Sequence, residues 1–251
     1  MKKNGQAWIG TSNPVIPGNK DTFPGAYRSK SRLTYYGHLF NSVEINKSFY
    51  KIPLHKTYER WSAEVPADFR FSLKLSKEIT HTKELKGELN IIDKFLHAAE
   101  GIGEKVGCIL VQFPGKISLD YFNAVEQILR ELTDHKLSEA WKIAVEFRNS
   151  TWYTGETWEM LDEFNAAIVL HDHPKAKMME VKGHTDFVYI RFHGPKGDYR
   201  DSYTNEYLQK MATKIKRWLK EGKELYAYFN NTIGSAFDNA QTLNALIAMK
   251  N

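Results

Sequence analysis

Glu44, Glu146 and His193 are the residues of this chain best suited to move a proton, and each stands at the polar end of an otherwise apolar run. Two carboxylates and an imidazole supply a base, an acid and a proton carrier if brought within reach of one substrate. Lys74, Arg148 and Arg191 end three such runs and offer the charge and the forked geometry that clamp a phosphate or carboxylate. The amides Asn46, Gln112 and Asn230 close further runs, and either His171 or Asp172 ends another. With Trp152, which follows the Glu146 run, and with Asp172 taken as the member from its run, these form the expected substrate-binding set. An ionised group left unpaired in a dry interior costs several kcal/mol, so these groups must pair or face water. A buried salt-bridge lattice, such as Glu44 with Arg191 or Glu146 with Arg148, is the structural alternative to a site.

Side-chain parity indicates that these residues converge, since successive residues of a strand point to opposite faces. In Phe187–His193, Val188, Ile190 and Phe192 share one face, and Phe187, Tyr189, Arg191 and His193 the other. In Ile143–Arg148, Ile143, Val145 and Phe147 oppose Ala144, Glu146 and Arg148. Val43 and Ile45 oppose Glu44 and Asn46, Lys74 opposes Phe71, Leu73 and Leu75, Gln112 follows Cys108 and Leu110, and Asn230 follows Tyr226 and Tyr228.

The elements that must position this set are eight short runs: 7–12, 42–46, 69–74, 106–112, 143–148, 166–172, 187–193 and 225–231. Between them lie helical stripes. Leu89, Ile92, Phe95, Leu96, Ala99 and Ile102 form one, and Leu119, Phe122, Val125, Ile128, Leu129 and Leu132, after a capping Ser118, form a second. Tyr207 to Leu219 is a third, and Ala236 to Ile247, opened by a capping box at Ser235-Ala236-Phe237-Asp238, a fourth. Weaker patterns fit helices over 31–39, 56–63 and 157–164, while 173–184 reads as missing its helix or carrying an irregular one. Alternation of strand and helix predicts a parallel sheet. Apolar strands ending in polar groups predict a (β/α)8 barrel with its chemistry at the C-terminal mouth. At 251 residues, a single barrel domain spanning 1–251 is expected.

Composition narrows the classes. No apolar run approaches the ~20 residues of a membrane span, and the polar start Met1-Lys2-Lys3-Asn4-Gly5 resembles no targeting signal. The single Cys108 excludes an internal disulfide framework, so a reducing cytoplasm and a buried structural thiol are expected. A net charge of +5 permits an anionic ligand, with the lysines spread along the chain rather than gathered in a tract. Phosphate-binding glycine loops, a serine elbow and paired cysteine ligands are absent from the sequence.

The string Phe40-Asn41-Ser42-Val43-Glu44-Ile45-Asn46-Lys47-Ser48-Phe49-Tyr50 resembles the signature of the uncharacterised barrel family called domain of unknown function 72. Trp61, Pro66 and Phe71-Ser72-Leu73-Lys74 continue the likeness, as do Thr80-His81, Gln112-Phe113-Pro114 and Glu146-Phe147-Arg148 with Ser150 and Trp152. Asp172 with Pro174, Tyr189-Ile190-Arg191-Phe192-His193-Gly194, and Phe229-Asn230-Asn231 with Ala236 and Asn239-Ala240 complete it in order. The segment from Thr11 to Gly25 departs from the family pattern, which affects the first loop and substrate choice. The resemblance implies the barrel fold and supplies no reaction.

Three functions are open at this stage. An acid–base enzyme (a hydrolase, lyase or isomerase) acting on a small polar or anionic substrate would use Glu44, Glu146 and His193 as its catalytic groups, with no cofactor implied. A metal-dependent hydrolase or isomerase of phosphoesters would draw a divalent ion to His171 or Asp172, His173, His193, Glu44 and Glu146. A non-catalytic ligand or nucleic-acid binder would use Tyr189, Trp152, Tyr199 and Tyr203 for stacking. Sequence offers no sign of oligomeric state.

Overall fold

The computed structural model describes residues 4–249. Among them, eight strands form one parallel sheet in the order β1-β8-β7-β6-β5-β4-β3-β2. They are β1 (Ala7–Thr11), β2 (Ser42–Ile45), β3 (Arg70–Lys74), β4 (Val106–Phe113), β5 (Lys142–Phe147), β6 (Ala166–His171), β7 (Phe187–Phe192) and β8 (Glu224–Phe229). Around them lie α1 (Arg32–Leu39), α2 (Lys47–Tyr50), α3 (His55–Ala63), α4 (Lys77–Thr80), α5 (Asn90–Ala99), α6 (Phe122–Thr133), α7 (Gly155–Glu163), α8 (Asn205–Lys220) and α9 (Ala236–Ala248). This is the (β/α)8 barrel the alternation predicts. No helix joins β6 to β7; that connection folds back instead, pairing Met178 antiparallel with His171. Among the described residues no helix is long and apolar enough to cross a membrane.

The two faces of the strands separate as parity requires. Trp8, Cys108, Leu110, Ala144, Ala167, Val169, Phe187, Tyr189, Tyr226 and Tyr228 pack together inside the barrel. Ile9, Val43, Ile45, Phe71, Leu73, Val145, Phe147, Ile190 and Phe192 join the layer between sheet and helices. Cys108 is fully buried, and burial pushes its thiol well above the ordinary range, as suits a packing residue.

The barrel closes between β1 and β2 with side chains where a ladder would otherwise run. The Asn41 amide accepts from Ile9 N–H at 3.0 Å and donates to Ala7 C=O at 2.8 Å. The Tyr36 hydroxyl accepts from Thr11 N–H at 2.7 Å and donates to Ser42 C=O at 3.1 Å. Buried backbone groups must find partners, and these two side chains supply them along the seam. Gly10 is required there, because a Cβ would lie 2.0 Å from the Ser42 oxygen. At the mouth the edges meet directly, with Asn13 N–H donating to Glu44 C=O at 2.7 Å.

Helix starts differ in part from expectation. Ser31 caps α1 by accepting from Thr34 N–H, and Thr204 caps α8 through Tyr207 N–H. Ser235 makes no side-chain cap on α9, so the capping box does not form, and the Ser118 hydroxyl turns to Asp120 instead of capping the helix.

Candidate functional site

The polar strand ends meet at the C-terminal mouth in two tiers. The lower tier is a chain of four charges. Glu44 and Glu146 are fully buried and Arg191 is 2% exposed. Arg191 grips Glu44 with two bonds, Nε to Oε2 at 2.9 Å and Nη2 to Oε1 at 2.8 Å, and reaches Glu146 Oε2 with Nη1 at 2.8 Å. Arg148 Nε completes the chain on Glu146 Oε1. Burial opposes ionisation of Arg191, but the two carboxylates overcome it and raise its pKa. Burial likewise opposes the charge on Glu146, and Arg148 and Arg191 overcome it, holding the carboxyl well below its ordinary range.

These bonds engage both carboxylates from which acid–base roles were expected. Glu44 accepts five hydrogen bonds: two from Arg191, one from Tyr189 Oη at 2.7 Å, one from Ser12 Oγ at 2.7 Å and one from Asn46 Nδ2 at 3.1 Å. A carboxylate offers about four lone-pair sites, so no place is left for a substrate proton. Glu146 is held ionised between two guanidinium groups, which makes it a weak base at neutral pH.

His193 is fully buried beside this chain. Its Nε2 faces Arg148 Nη2 at 3.1 Å, and a guanidinium can only donate, so Nε2 is the bare nitrogen. Nδ1 then carries the proton and lies 3.1 Å from Asn230 Nδ2; since an amide NH2 only donates, this tautomer requires the Asn230 amide turned to present its Oδ1. Burial lowers the His193 pKa to about 3, keeping the ring neutral. His171, inward at the end of β6, is similarly lowered by burial to about 4. Its Nε2 lies 3.1 Å from Phe147 C=O, and its Nδ1 accepts from His173 N–H at 3.3 Å.

The upper tier is a cavity of about 270 Å³, lined by Asn13, Asn46, Phe49, Tyr50, Lys74, Gln112, Arg148, Arg191, Tyr199 and Asn230. Lys74 Nζ lies 4.0 Å from the centre of the Phe49 ring and donates to Gln112 Oε1 at 2.8 Å. Burial, aided by Arg191, lowers its pKa to about 8. Arg191 and Arg148 each spend three of their five N–H groups on protein partners, leaving two apiece. No carboxylate lines this space.

The loop after β7 covers one side of it. Gly194, at φ 99°, turns where a Cβ would meet Arg200 C=O at 2.4 Å. Tyr199 N–H then donates to His193 C=O at 2.7 Å, and Tyr199 holds a left-handed φ of 68°. Non-glycine residues at positive φ are uncommon and gather at functional sites. This turn sets the Tyr199 hydroxyl 3.4 Å from Arg148 Nη1.

Of the expected binding residues, the mouth gathers Asn46, Lys74, Gln112, Arg148, Arg191 and Asn230. Asp172 and Trp152 fall elsewhere. Asp172 is displaced from the cavity by strand parity: His171 takes the inward face, and the Asp172 carboxylate accepts from His193 N–H at 2.8 Å and from the Tyr203 hydroxyl, anchoring the end of β7. Trp152 is fully buried outside the barrel, stacked on the outward-facing Phe147 at 4.2 Å and donating to Ile117 C=O at 2.9 Å. Asn13, Phe49 and Tyr50 line the cavity without having been expected there, and Tyr199, expected as a stacking residue, lines it as well. The Asn13-Pro14 pair after β1 is the one local signal for the first, since asparagine tolerates the left-handed φ of 61° found there.

Among the described residues, two groups have donor atoms close enough for an ion. Glu146, His171 and His193 are one, but the Arg148 guanidinium already fills the space between Glu146 and His193, and both nitrogens of His171 face backbone groups. The donor set therefore suits a guanidinium and opposes a metal cation. Asp93, His97 and His135 are the other, far from the mouth sequence and largely exposed. His135 Nδ1 accepts from Leu137 N–H, which leaves its Nε2 protonated toward Asp93. The stacking set fares no better: Tyr189, Trp152 and Tyr203 are all buried, leaving Tyr199 alone at the mouth.

Fold and site together define a (β/α)8 barrel with a cation-lined mouth above a buried ion chain. A family model described as "Protein of unknown function DUF72" matches residues 8–251, and the chain belongs to that family. It is 25% identical over 265 residues to UPF0759 protein YunF of Bacillus subtilis, spanning 90% of this chain and 89% of that one. UPF0759 protein YecE of Escherichia coli is 29% identical over 82 residues, which is 33% of this chain and 30% of the relative. Among solved structures, a DUF72 family protein from Enterococcus faecalis superposes with a TM-score of 0.78 at 21% identity, covering 98% of this chain and 97% of its own. One from Thermotoga maritima gives 0.76 at 23%, covering 97% and 100%.

Proposed function

We propose that this chain is an enzyme that binds a small anionic substrate in the mouth cavity and transfers a proton through Lys74. The observation that carries the reading is the division between tiers: Lys74, Arg148 and Arg191 line the cavity, while Glu44 and Glu146 are turned beneath it. Three cations against two carboxylates leave one positive charge in excess, which suits a monoanionic group. The spare N–H groups of Arg148 and Arg191 hold the anion. A group titrating near 8 exchanges protons readily at neutral pH, so Lys74 takes the acid–base role first assigned to the carboxylates. The Tyr199 hydroxyl and the amides of Asn46, Gln112 and Asn230 orient the remaining polar atoms. The reaction class this favours is proton transfer beside an anionic group, as in an isomerase or lyase.

Thermal unfolding in acetate, phosphate and sulfate against chloride, at matched ionic strength, tests the binding step. A bound anion should stabilise the fold by about 2.7 kcal/mol at a hundred times its dissociation constant, and Lys74→Met should diminish the effect. Equal stability in all four salts refutes the reading. Once turnover is found, kcat/KM should bend near pH 8, and an unchanged profile in Lys74→Met would remove Lys74 from the mechanism.

A further inference from the structure

The polar cavity has an apolar neighbour. A second cavity of about 490 Å³ lies on the outer side of β2, walled by Pro14, Leu33, Ile45 and Trp61, with Lys47 also in its lining. Asn13, Asn46 and Tyr50 line both spaces, so the two adjoin at the end of β2. Leu33 and Ile45 are buried in the layer between sheet and helices, whereas Tyr50 is 67% exposed at the junction. An exposed aromatic beside an apolar hollow invites an apolar occupant. Asn46 adds a directional feature. Its Nδ2 donates to Glu44, which fixes the amide orientation, and its Oδ1 is buried with no donor among the described residues. A buried acceptor without a partner costs free energy, and a hydroxyl or amide on a ligand crossing the junction would relieve that cost.

We infer that the substrate is amphipathic: one anionic head in the Lys74 cavity, joined past Asn46 to an apolar chain or ring seated against Pro14, Leu33, Ile45 and Trp61. This rests on the anion-binding reading of the polar cavity and extends it to a substrate class. Carboxylate and phosphate-monoester heads share the required chemistry, and the experiment separates them. The apolar compartment is the larger of the two, so it discriminates between ligands that the charged compartment holds alike. Its wall at Asn13 and Pro14 belongs to the loop that follows β1.

Isothermal titration calorimetry with acetate, butyrate, hexanoate and octanoate, and in parallel with methyl, butyl and hexyl phosphate, tests this. Each buried methylene is worth about 0.8 kcal/mol, or roughly fourfold in affinity, so each two-carbon step should tighten binding about fifteenfold until the hollow is full. The series that rises identifies the head group. Trp61→Ala should flatten the rise while leaving acetate or methyl phosphate binding in place, which also reports that the variant is folded, and Trp61→Phe should restore part of it. Lys74→Met should weaken every member of the series alike. Measurable binding of the short members with no rise overturns the inference and leaves the anion site standing. A rise that survives Trp61→Ala, or that ignores Lys74→Met, places the chain elsewhere and also overturns it. If no member of either series binds, the anion site itself falls, and this inference with it.

Discussion

Replacing Lys74 by methionine separates site from scaffold. Lys74 has no carboxylate partner: its ammonium touches Gln112 Oε1 and the Phe49 ring, with Arg148 and Arg191 lining the same cavity. Its pKa falls from 10.5 to about 8, so the folded state resists the charge. At about 1.4 kcal/mol per unit, that penalty is roughly 3 kcal/mol at neutral pH. Methionine matches the length of the stem without the charge. Leaving Gln112 without its donor costs back about 1 kcal/mol. Lys74→Met should therefore stabilise the protein by about 2 kcal/mol at pH 7 while weakening anion binding. The sign with pH follows from the lowered pKa. Below pH 8 both states of the parent are protonated and the full penalty is present; between pH 8 and 10.5 the folded state sheds its proton first and the penalty fades. The advantage of Lys74→Met should accordingly shrink above pH 8, vanish near pH 10 and then reverse slightly, because the lost bond to Gln112 remains. Urea unfolding of both proteins at pH 7 and pH 10 measures it. A loss of stability at pH 7, or a difference that does not change with pH, would show Lys74 to be part of a favourable ion network and undo the argument.

Other outcomes follow from the same geometry. Glu146→Gln leaves Arg148 without its counter-charge and Arg191 with only Glu44; removing one partner of a buried pair costs about 3–5 kcal/mol, and the remaining Glu44 contacts place the expected urea-unfolding loss near 3. A loss under about 1 kcal/mol would mean the ion chain is solvated. His171 and His193, lowered to about 4 and about 3, stay neutral in the fold while the unfolded chain protonates near 6.5, so stability is full above that pH and is lost as pH falls toward 4. The slope should approach about 2.7 kcal/mol per pH unit for two protons, with a smaller share from the half-exposed His81, and His193→Gln should roughly halve it; a flat profile from pH 6.5 to 4.5 refutes the neutral-imidazole assignment. Tyr36→Phe strips the β1–β2 seam of its bridge between Thr11 N–H and Ser42 C=O, two buried groups worth about 1–3 kcal/mol each when orphaned, so a loss below 0.5 kcal/mol by urea unfolding would show that water or a backbone shift repairs the seam.

The sequence carried the barrel and the convergence because both obey a strict period. Alternation along β5 and β7 puts Glu146 and Arg191 inward as surely as it puts Val145 and Ile190 outward, and no tertiary detail can reverse that. It carried less about residues just beyond a strand end. Trp152 sits five residues past β5, where the two-residue period has lapsed and local turns decide direction, whereas Asp172, one residue past β6, keeps the period and turns away opposite the inward His171. Tyr199 reaches the cavity only because Gly194 reverses the loop after β7, which composition does not announce. Pairing was the other gap. Parity places Glu44, Glu146, Arg148 and Arg191 together but is silent on which carboxylate is saturated, and that decides between base and brace. Register supplies the answer: Tyr189 lies two residues before Arg191 on the same face, so its hydroxyl and the guanidinium meet Glu44 from one strand.

In the proposed function the two carboxylates shape the mouth without entering its chemistry. Lys74, Arg148 and Arg191 alone would crowd three positive charges around a space of about 270 Å³. At roughly 5 Å and an effective dielectric near 20, each pair would repel by about 3 kcal/mol. Glu44 and Glu146 cancel most of that repulsion from below, and each guanidinium keeps two N–H groups beyond its three protein bonds. They also fix the orientation of both arginines, which on their own would sample many rotamers. Lys74 is left as the cation without a counter-charge, and the one whose proton is held loosely. An anion entering the cavity supplies the missing charge, and binding it should raise the Lys74 pKa back toward its ordinary value. On the proposed function, proton affinity and ligand occupancy would thereby be linked at a single amine, which would gain its proton as an anionic group arrives and give it up more readily when that charge is spent or leaves.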